Sequence, residues 1–155
     1  MTENINIIQI KADITSKNNY LGLIAELERD IFSESWSENV LEDMLQNNVN
    51  YIFAALWESN VIGYYCAQII PDEAELNRIA IRKDLRRKGI GNILVEHFHG
   101  LCKKKMCNTI YLEVSKHNTA AISLYKENGY ETIRIRKDYY GIGDDAIIMM
   151  KKIKP

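Results

Sequence analysis

A strand-like run from Leu76 to Ile81, a basic loop from Arg86 to Gly91, an amphipathic helical stretch and a second strand-like run from Thr109 to Val114 follow one another in this chain. No other feature narrows the fold so far. Two strands joined by a crossover of this length run parallel, because a tight turn joins only antiparallel neighbours. The right-handed rule then lays the connecting helix against one sheet face. That helix carries Ile90, Ile93, Leu94, His97, Phe98 and Leu101 on one side. Its Lys103-Lys104-Lys105 suits the negative end of a helix dipole.

The loop itself, Arg86-Arg87-Lys88-Gly89-Ile90-Gly91, is neither the Gly-x-Gly-x-x-Gly of dinucleotide sites nor the Gly-Lys-Ser/Thr of nucleotide-triphosphate loops. A loop of this shape still aims several backbone N–H groups and a helix N-terminus at one place. It can therefore bind phosphate without a side chain for each oxygen. Its other reading is a tightly packed start to a helix.

The rest of the chain supplies the partners of this unit. Ile5 to Ile10 reads as a strand, and Lys17 to Phe32 spaces Leu21, Ile24, Leu27, Glu28 and Ile31 as an amphipathic helix. Ser35-Trp36-Ser37-Glu38 has capping-box spacing and starts a second helix through Val40, Leu41, Met44 and Leu45. Tyr51 to Trp57 and Val61 to Ile70 form a hairpin across Glu58-Ser59-Asn60, and Pro71-Asp72-Glu73 turns into the strand from Ala74 to Ile81, making a meander. Asn118 caps a helix carrying Ala121, Ile122, Leu124 and Tyr125, which stops at Asn128-Gly129. Tyr130 to Lys137 and Ala146 to Ile153 make a last hairpin. No repeat, linker or low-complexity segment divides the sequence, so residues 1–155 are expected to form a single domain.

Composition excludes the extremes. A chain of 155 residues, 46% hydrophobic and 26% charged, can bury one substantial core. Its net charge of −1 gives no global attraction to nucleic acid or anionic lipid. Met1 to Gln9 has no basic region followed by a long apolar run, and no segment approaches the ~20 apolar residues of a membrane span. Cys66, Cys102 and Cys107 form no Cys-x-x-Cys pair and cannot all be bonded within one chain, which fits a reducing, cytoplasmic setting. His97 and His99, two apart on a helix, face different sides, so no metal site is expected. Lys151, Lys152 and Lys154 read as a solvated terminus.

The order β-α-α-β-β-β-α-β-α-β-β, an α/β arrangement on a mixed sheet, resembles the acyl-CoA N-acyltransferase fold of the GNAT acetyltransferases, and three motifs carry the resemblance across the whole chain. The Arg-x-x-Gly-x-Gly of the loop resembles that family's pyrophosphate motif, Gln/Arg-x-x-Gly-x-Gly/Ala. Leu76-Asn77-Arg78-Ile79-Ala80-Ile81 resembles its central strand, and residues Asn118 to Gly129 match its Asn-x-x-Ala-x-x-Leu-Tyr-x-x-x-Gly helix. Within the superfamily the chain is similar to the bacterial ribosomal-protein alanine N-acetyltransferases. Phe32-Ser33-Glu34-Ser35-Trp36-Ser37, Leu112-Glu113-Val114, Arg136-Lys137-Asp138-Tyr139-Tyr140 and Asp144-Asp145-Ala146 look like that family's Phe-Ser-x-Pro-Trp-Ser/Thr, Leu-Glu-Val, Arg-x-x-Tyr-Tyr and Glu/Asp-Asp-Ala. Ser35 replaces its proline. Arg78 stands where it often has asparagine, next to the strand segment expected to hold the acyl group.

The resemblance implies acetyl-CoA as co-substrate, bound at Ile79, Ala80, Ile81, Arg86, Arg87, Lys88, Gly89, Ile90, Gly91, Asn92 and Asn118. Amides of residues Arg87 to Asn92 would neutralise the pyrophosphate, with Gly89 and Gly91 allowing close approach. Main-chain groups of Ile79 to Ile81 would hold the acyl arm where the central strand splays from its neighbour. Asn118 would be helix cap and coenzyme contact together.

Acetyl transfer from a thioester to an amine needs a base and an acid. Glu113, in an otherwise apolar strand, is the carboxylate for the base, partial burial being expected to raise its proton affinity. Its other reading is a strand-face glutamate paired with a lysine or arginine. Tyr125 is the phenol for the acid, or else a core tyrosine. Trp36, Tyr139 and Tyr140 would shape the acceptor pocket, or simply pack. The leading expectation is acetylation of the alanine α-amine at the N-terminus of a small-subunit ribosomal protein. The alternatives are a small amine or a lysine side chain as acceptor, and a non-catalytic coenzyme-binding regulator.

Overall fold

The computed structural model describes residues 2–12 and 19–154. A short 3-10 turn, Thr2–Asn4, precedes the elements β1 (Asn6–Ile10), α1 (Tyr20–Ile31), α2 (Glu38–Leu45), β2 (Asn50–Trp57), β3 (Asn60–Ile70), β4 (Glu73–Ile81), α3 (Ile90–Lys104), β5 (Thr109–Ser115), α4 (Thr119–Glu127), β6 (Glu131–Arg136) and β7 (Ala146–Lys152). The strands hydrogen-bond in the order β1-β2-β3-β4-β5-β7-β6. Each element expected from the sequence is present, with ends displaced by a few residues. The first helix was expected from Lys17, and that start lies outside the described residues. A second 3-10 turn, Lys83–Leu85, was not foreseen.

The chain forms two compact units, one of Met1–Gln68 with Arg78–Leu94, the other of Ile69–Asn77 with Val95–Pro155. The polypeptide passes between them three times, within β3, within β4 and within α3. In the first unit β1 pairs antiparallel with β2 from Asn6↔Leu56 to Ile10↔Ile52, and β2 pairs antiparallel with β3. The β2–β3 turn places Glu58 and Ser59 at φ 51° and 67°, two consecutive left-handed residues, as the tight turns favoured by strand twist require. Ile24, Ala25 and Leu27 of α1 and Leu41 of α2 are buried in one cluster with Ile52, Ala54, Tyr64 and Ala80 of the strands. Gly63 has to be glycine here, because a Cβ would lie 2.9 Å from the Ala80 carbonyl oxygen.

In the second unit β4 and β5 run parallel, in register from Glu73↔Thr109 to Leu76↔Leu112, the parallel pair that the crossover demanded. β5 pairs antiparallel with β7, and β7 with β6. The last strand of the chain therefore inserts between its own hairpin partner and β5. β5 alternates strictly, with Ile110, Leu112 and Val114 buried and Tyr111, Glu113 and Ser115 half-buried. α4 closes through Asn128 onto Gly129 at φ 91°, the left-handed closure expected of Asn-Gly.

Candidate active site

The basic loop leaves β4 through the 3-10 turn and enters α3. Arg86, Arg87 and Lys88 are exposed, and the Arg86 Nε–H donates to the Ile81 carbonyl at 3.3 Å. Arg87 and Gly89 both have positive φ, 62° and 84°. This turns the chain into the helix, and the Gly89 carbonyl accepts from the Ile93 N–H at 3.2 Å. A Cβ on Gly89 would meet no protein atom within 4 Å, so its glycine is demanded by backbone conformation and not by crowding. Three cations, exposed main chain and a helix N-terminus together fit a diphosphate. Gly91 and Asn92 lie in the first turn of α3, as the motif requires.

The same unit holds a polar network that the sequence did not reveal. Glu28, on the buried stripe of α1, is fully buried. Its carboxylate accepts from the Tyr64 hydroxyl at 2.6 Å, the Trp36 backbone N–H at 2.9 Å and Arg78 Nη1 at 2.5 Å. The Arg78 guanidinium lies over two rings, 4.2 Å from the Phe32 centroid and 4.0 Å from that of Trp36. Burial, and then the bond to Glu28, drive the Tyr64 phenol far above its ordinary value, so it stays a donor. This network corrects the expected capping box. Trp36 is held outside the helix by its bond to Glu28, and the cap is Ser37, whose Oγ accepts from Val40 N–H at 3.2 Å. The one signal in the sequence was a glutamate on an apolar stripe.

In the second unit Glu113 stands one residue past the last register pair of β4 and β5. Its side chain is 30% exposed and pairs with Arg136 Nη1 at 3.5 Å, longer than a charge-assisted hydrogen bond. The partner required by its structural reading is thus present, though loosely held, and Glu113 keeps access to solvent. Partial desolvation, and then the charge of Glu113, raise the Glu75 carboxyl on β4. Burial and then Glu113 raise the Tyr140 phenol, against a smaller opposing effect of Arg136. Arg136 entered the sequence reading only as the first residue of its Arg-x-x-Tyr-Tyr motif, with no role assigned, and Glu75 was not singled out at all.

Tyr139 and Tyr140 follow β6 in a loop tied to the end of β5. Asp138 N–H donates to Asp145 Oδ1 at 2.9 Å, Gly143 N–H to Asp138 Oδ1 at 2.7 Å, and the Ser115 hydroxyl to Asp144. The two rings meet edge-on at 5.2 Å and are 52% and 47% exposed; the Arg136 guanidinium lies 5.3 Å from the Tyr139 centroid. These aromatics are not core.

Asn118 caps α4 as expected, its Oδ1 accepting from Ala121 N–H at 3.2 Å. Tyr125 on that helix is buried, edge-on to Tyr130 at 5.7 Å, and burial pushes its phenol well above the usual value. Tyr130 in turn shares a 2.9 Å hydrogen bond with His99. Among the described residues no group of three or more metal-ligating side chains gathers, and no helix is long and apolar enough to cross a membrane.

Loop, central strand and Asn-capped helix define a class of protein that the comparisons with known proteins bear out. Residues 21–130 match the Acetyltransferase (GNAT) family, and the chain belongs to that family: it is an acetyl-CoA-dependent N-acetyltransferase. It is similar to the [ribosomal protein bS18]-alanine N-acetyltransferase of Escherichia coli K12, 33% identical over 127 residues that cover 79% of this chain and 84% of that one. The Haemophilus influenzae protein of the same name is 32% identical over 129 residues, 80% and 86% of the two chains. The crystal structure of the ribosomal-protein-S18-alanine N-acetyltransferase from Escherichia coli superposes with a TM-score of 0.85 at 28% identity, covering 97% and 95%. The fold alone is shared with a GNAT family acetyltransferase from Elizabethkingia anophelis with acetyl-CoA bound, at a TM-score of 0.74 and 20% identity over 97% and 99%.

Proposed function

We propose that this chain moves the acetyl group of acetyl-CoA to the α-amine of an N-terminal alanine on a small-subunit ribosomal protein, in the cytoplasm and by direct attack in a ternary complex. The observation that carries the acceptor is the similarity, along about four-fifths of each chain, to enzymes named for that reaction. The donor rests on the loop. Its positive-φ backbone, three exposed cations and helix N-terminus suit the diphosphate of the coenzyme, with Arg86, Arg87, Lys88, Gly89, Ile90, Gly91 and Asn92 in contact and Asn118 as a further contact. Main-chain groups of Ile79, Ala80 and Ile81, beyond the β4–β5 register, hold the acyl arm.

The bound coenzyme supplies an activated thioester, and this chain's residues handle the protons. Glu113 takes the proton of the attacking amine, directly or through water, as the C–N bond forms. An α-amine has a reference pKa of roughly 7.7–8, so the proton is labile near neutrality. Tyr125, a phenol protonated near neutrality, gives its proton to the sulfur as the C–S bond breaks. By the family resemblance Trp36, and separately Tyr139 and Tyr140, are assigned to the acceptor, and Arg136 is the loosely held ion-pair partner of Glu113.

The test is mass spectrometry of the protein with acetyl-CoA and peptides beginning Ala, Ser, Met or acetyl-Ala, beside free polyamines. Acetylation of the Ala peptide and not of acetyl-Ala is the expected result. Turnover of polyamines alone would overturn the acceptor, and coenzyme binding with no turnover would overturn the enzyme.

A further inference from the structure

We propose that Arg78 is the positioning residue of the acceptor side, a clamp that fixes Trp36 and so sets affinity for the acceptor without touching that for the donor. The proposal rests on the reading of Trp36 as a wall of the acceptor pocket. The segment between α1 and α2 contains exposed Ser33, Glu34 and Ser35, flanked by half-buried Phe32 and Trp36. Those two rings sandwich one guanidinium, at 4.2 and 4.0 Å. The guanidinium is anchored by Nη1 on Glu28, which also accepts the Trp36 N–H, so main chain and ring of Trp36 are referred to the same buried carboxylate. The Tyr64 hydroxyl on β3 completes the set.

Such an ion pair adds little net stability compared with an apolar replacement, and what it offers is one defined geometry. A planar cation suits this place: it stacks on two faces while forming an in-plane hydrogen bond, and an ammonium cannot do both. Arg78 also directly precedes Ile79, the first of the three residues read as holding the acyl arm. The clamp therefore ties the acceptor wall to the strand that carries the acyl group. The side chain of Arg78 is only 21% exposed, so the contact is shielded from solvent and salt.

The experiment compares wild type, Arg78→Lys and the double variant Glu28→Gln with Arg78→Met, which leaves no unpaired buried charge. Each is made in a Trp57→Phe background, so that Trp36 is the only remaining tryptophan of the two. Time-resolved fluorescence anisotropy reads the mobility of Trp36, and steady-state kinetics give KM for an Ala peptide and for acetyl-CoA separately. In both variants Trp36 should gain local motion, and the peptide KM should rise about tenfold while the acetyl-CoA KM stays within twofold, as loss of two cation–π contacts predicts. Unchanged Trp36 mobility, or a loosened Trp36 with an unchanged peptide KM, overturns the proposal. If the wild type acetylates polyamines alone, the acceptor reading fails by itself. The clamp then stands if the polyamine KM and Trp36 mobility rise together in the variants, and falls if they do not.

Discussion

Replacing Arg78 by methionine keeps the length of the side chain and removes its charge, leaving Glu28 buried with two donors where it had three. The structure allows the cost to be worked out. One charge-assisted bond of 2.5 Å is lost, a class worth about 1.5–3 kcal/mol. Breaking a buried pair costs about 3–5 kcal/mol because the remaining charge is uncompensated. The lower part of that range applies here, since the Tyr64 and Trp36 donors remain at 2.6 and 2.9 Å. Loss of the two ring contacts adds about 1 kcal/mol. The sum is about 4–5 kcal/mol, which in a chain of this size lowers the melting temperature by ~8–20 °C. Adding Glu28→Gln removes the orphaned charge: the amide oxygen can keep the Trp36 N–H bond at the Oε1 position, and the amide NH2 at the Oε2 position can donate to the Tyr64 hydroxyl oxygen. The double variant should therefore recover at least about 2 kcal/mol over Arg78→Met. Urea unfolding followed by tryptophan fluorescence suits the purpose, because Trp36 and Trp57 both lie in the first unit. A loss below about 1 kcal/mol for Arg78→Met, or a double variant less stable than the single one, would refute the argument that Glu28 depends on Arg78.

Four further outcomes are expected. Glu113→Gln should lower kcat about 10²-fold, most strongly below the amine's own pKa, and a wild-type pH–rate profile in the variant would remove Glu113 as the base. Tyr125→Phe should lower kcat by a comparable factor with acetyl-CoA affinity within twofold by calorimetry, and an unchanged kcat would return Tyr125 to the core. Gly89→Ala should cost only about 1 kcal/mol of stability, the strain of positive φ in open space, yet weaken acetyl-CoA binding more than tenfold; wild-type affinity would sink the cradle. His99, held down to about 4 by burial and then by Lys151 and Lys103, is neutral when folded, whereas the unfolded chain takes up its proton near pH 6.5. Stability should therefore fall between pH 6.5 and 4 by about 1–2 kcal/mol after allowing for partial solvent screening, and His99→Gln should flatten that fall in urea midpoints.

Much of the site is legible because its chemistry is local. Residues 86–91 must turn from strand to helix, and the positive φ of Gly89 and the α3 start follow from that short stretch. The Asn118 cap and the Gly129 closure are likewise properties of a few adjacent residues. Arg136 was not legible as the partner of Glu113, because the pair spans two strands with β7 between them, and nothing in a hairpin motif predicts that insertion. Glu28 read as one member of a helical stripe, and the displaced cap at Ser37 followed from the same long-range bond.

The sequence by itself determined the order and type of the elements, the parallel pairing forced by the crossover, and the turn of the basic loop into α3. Periodicity, caps and glycine conformations all act over a few residues, so they can be read in one dimension. Only the tertiary structure decided which charge meets which: Arg78 with Glu28, 50 residues apart, and Arg136 with Glu113 across the inserted strand. Those contacts depend on strand order and on the approach of α1 to the strands. A buried carboxylate has no periodic signature, and its partner is whatever cation the fold brings within hydrogen-bond reach.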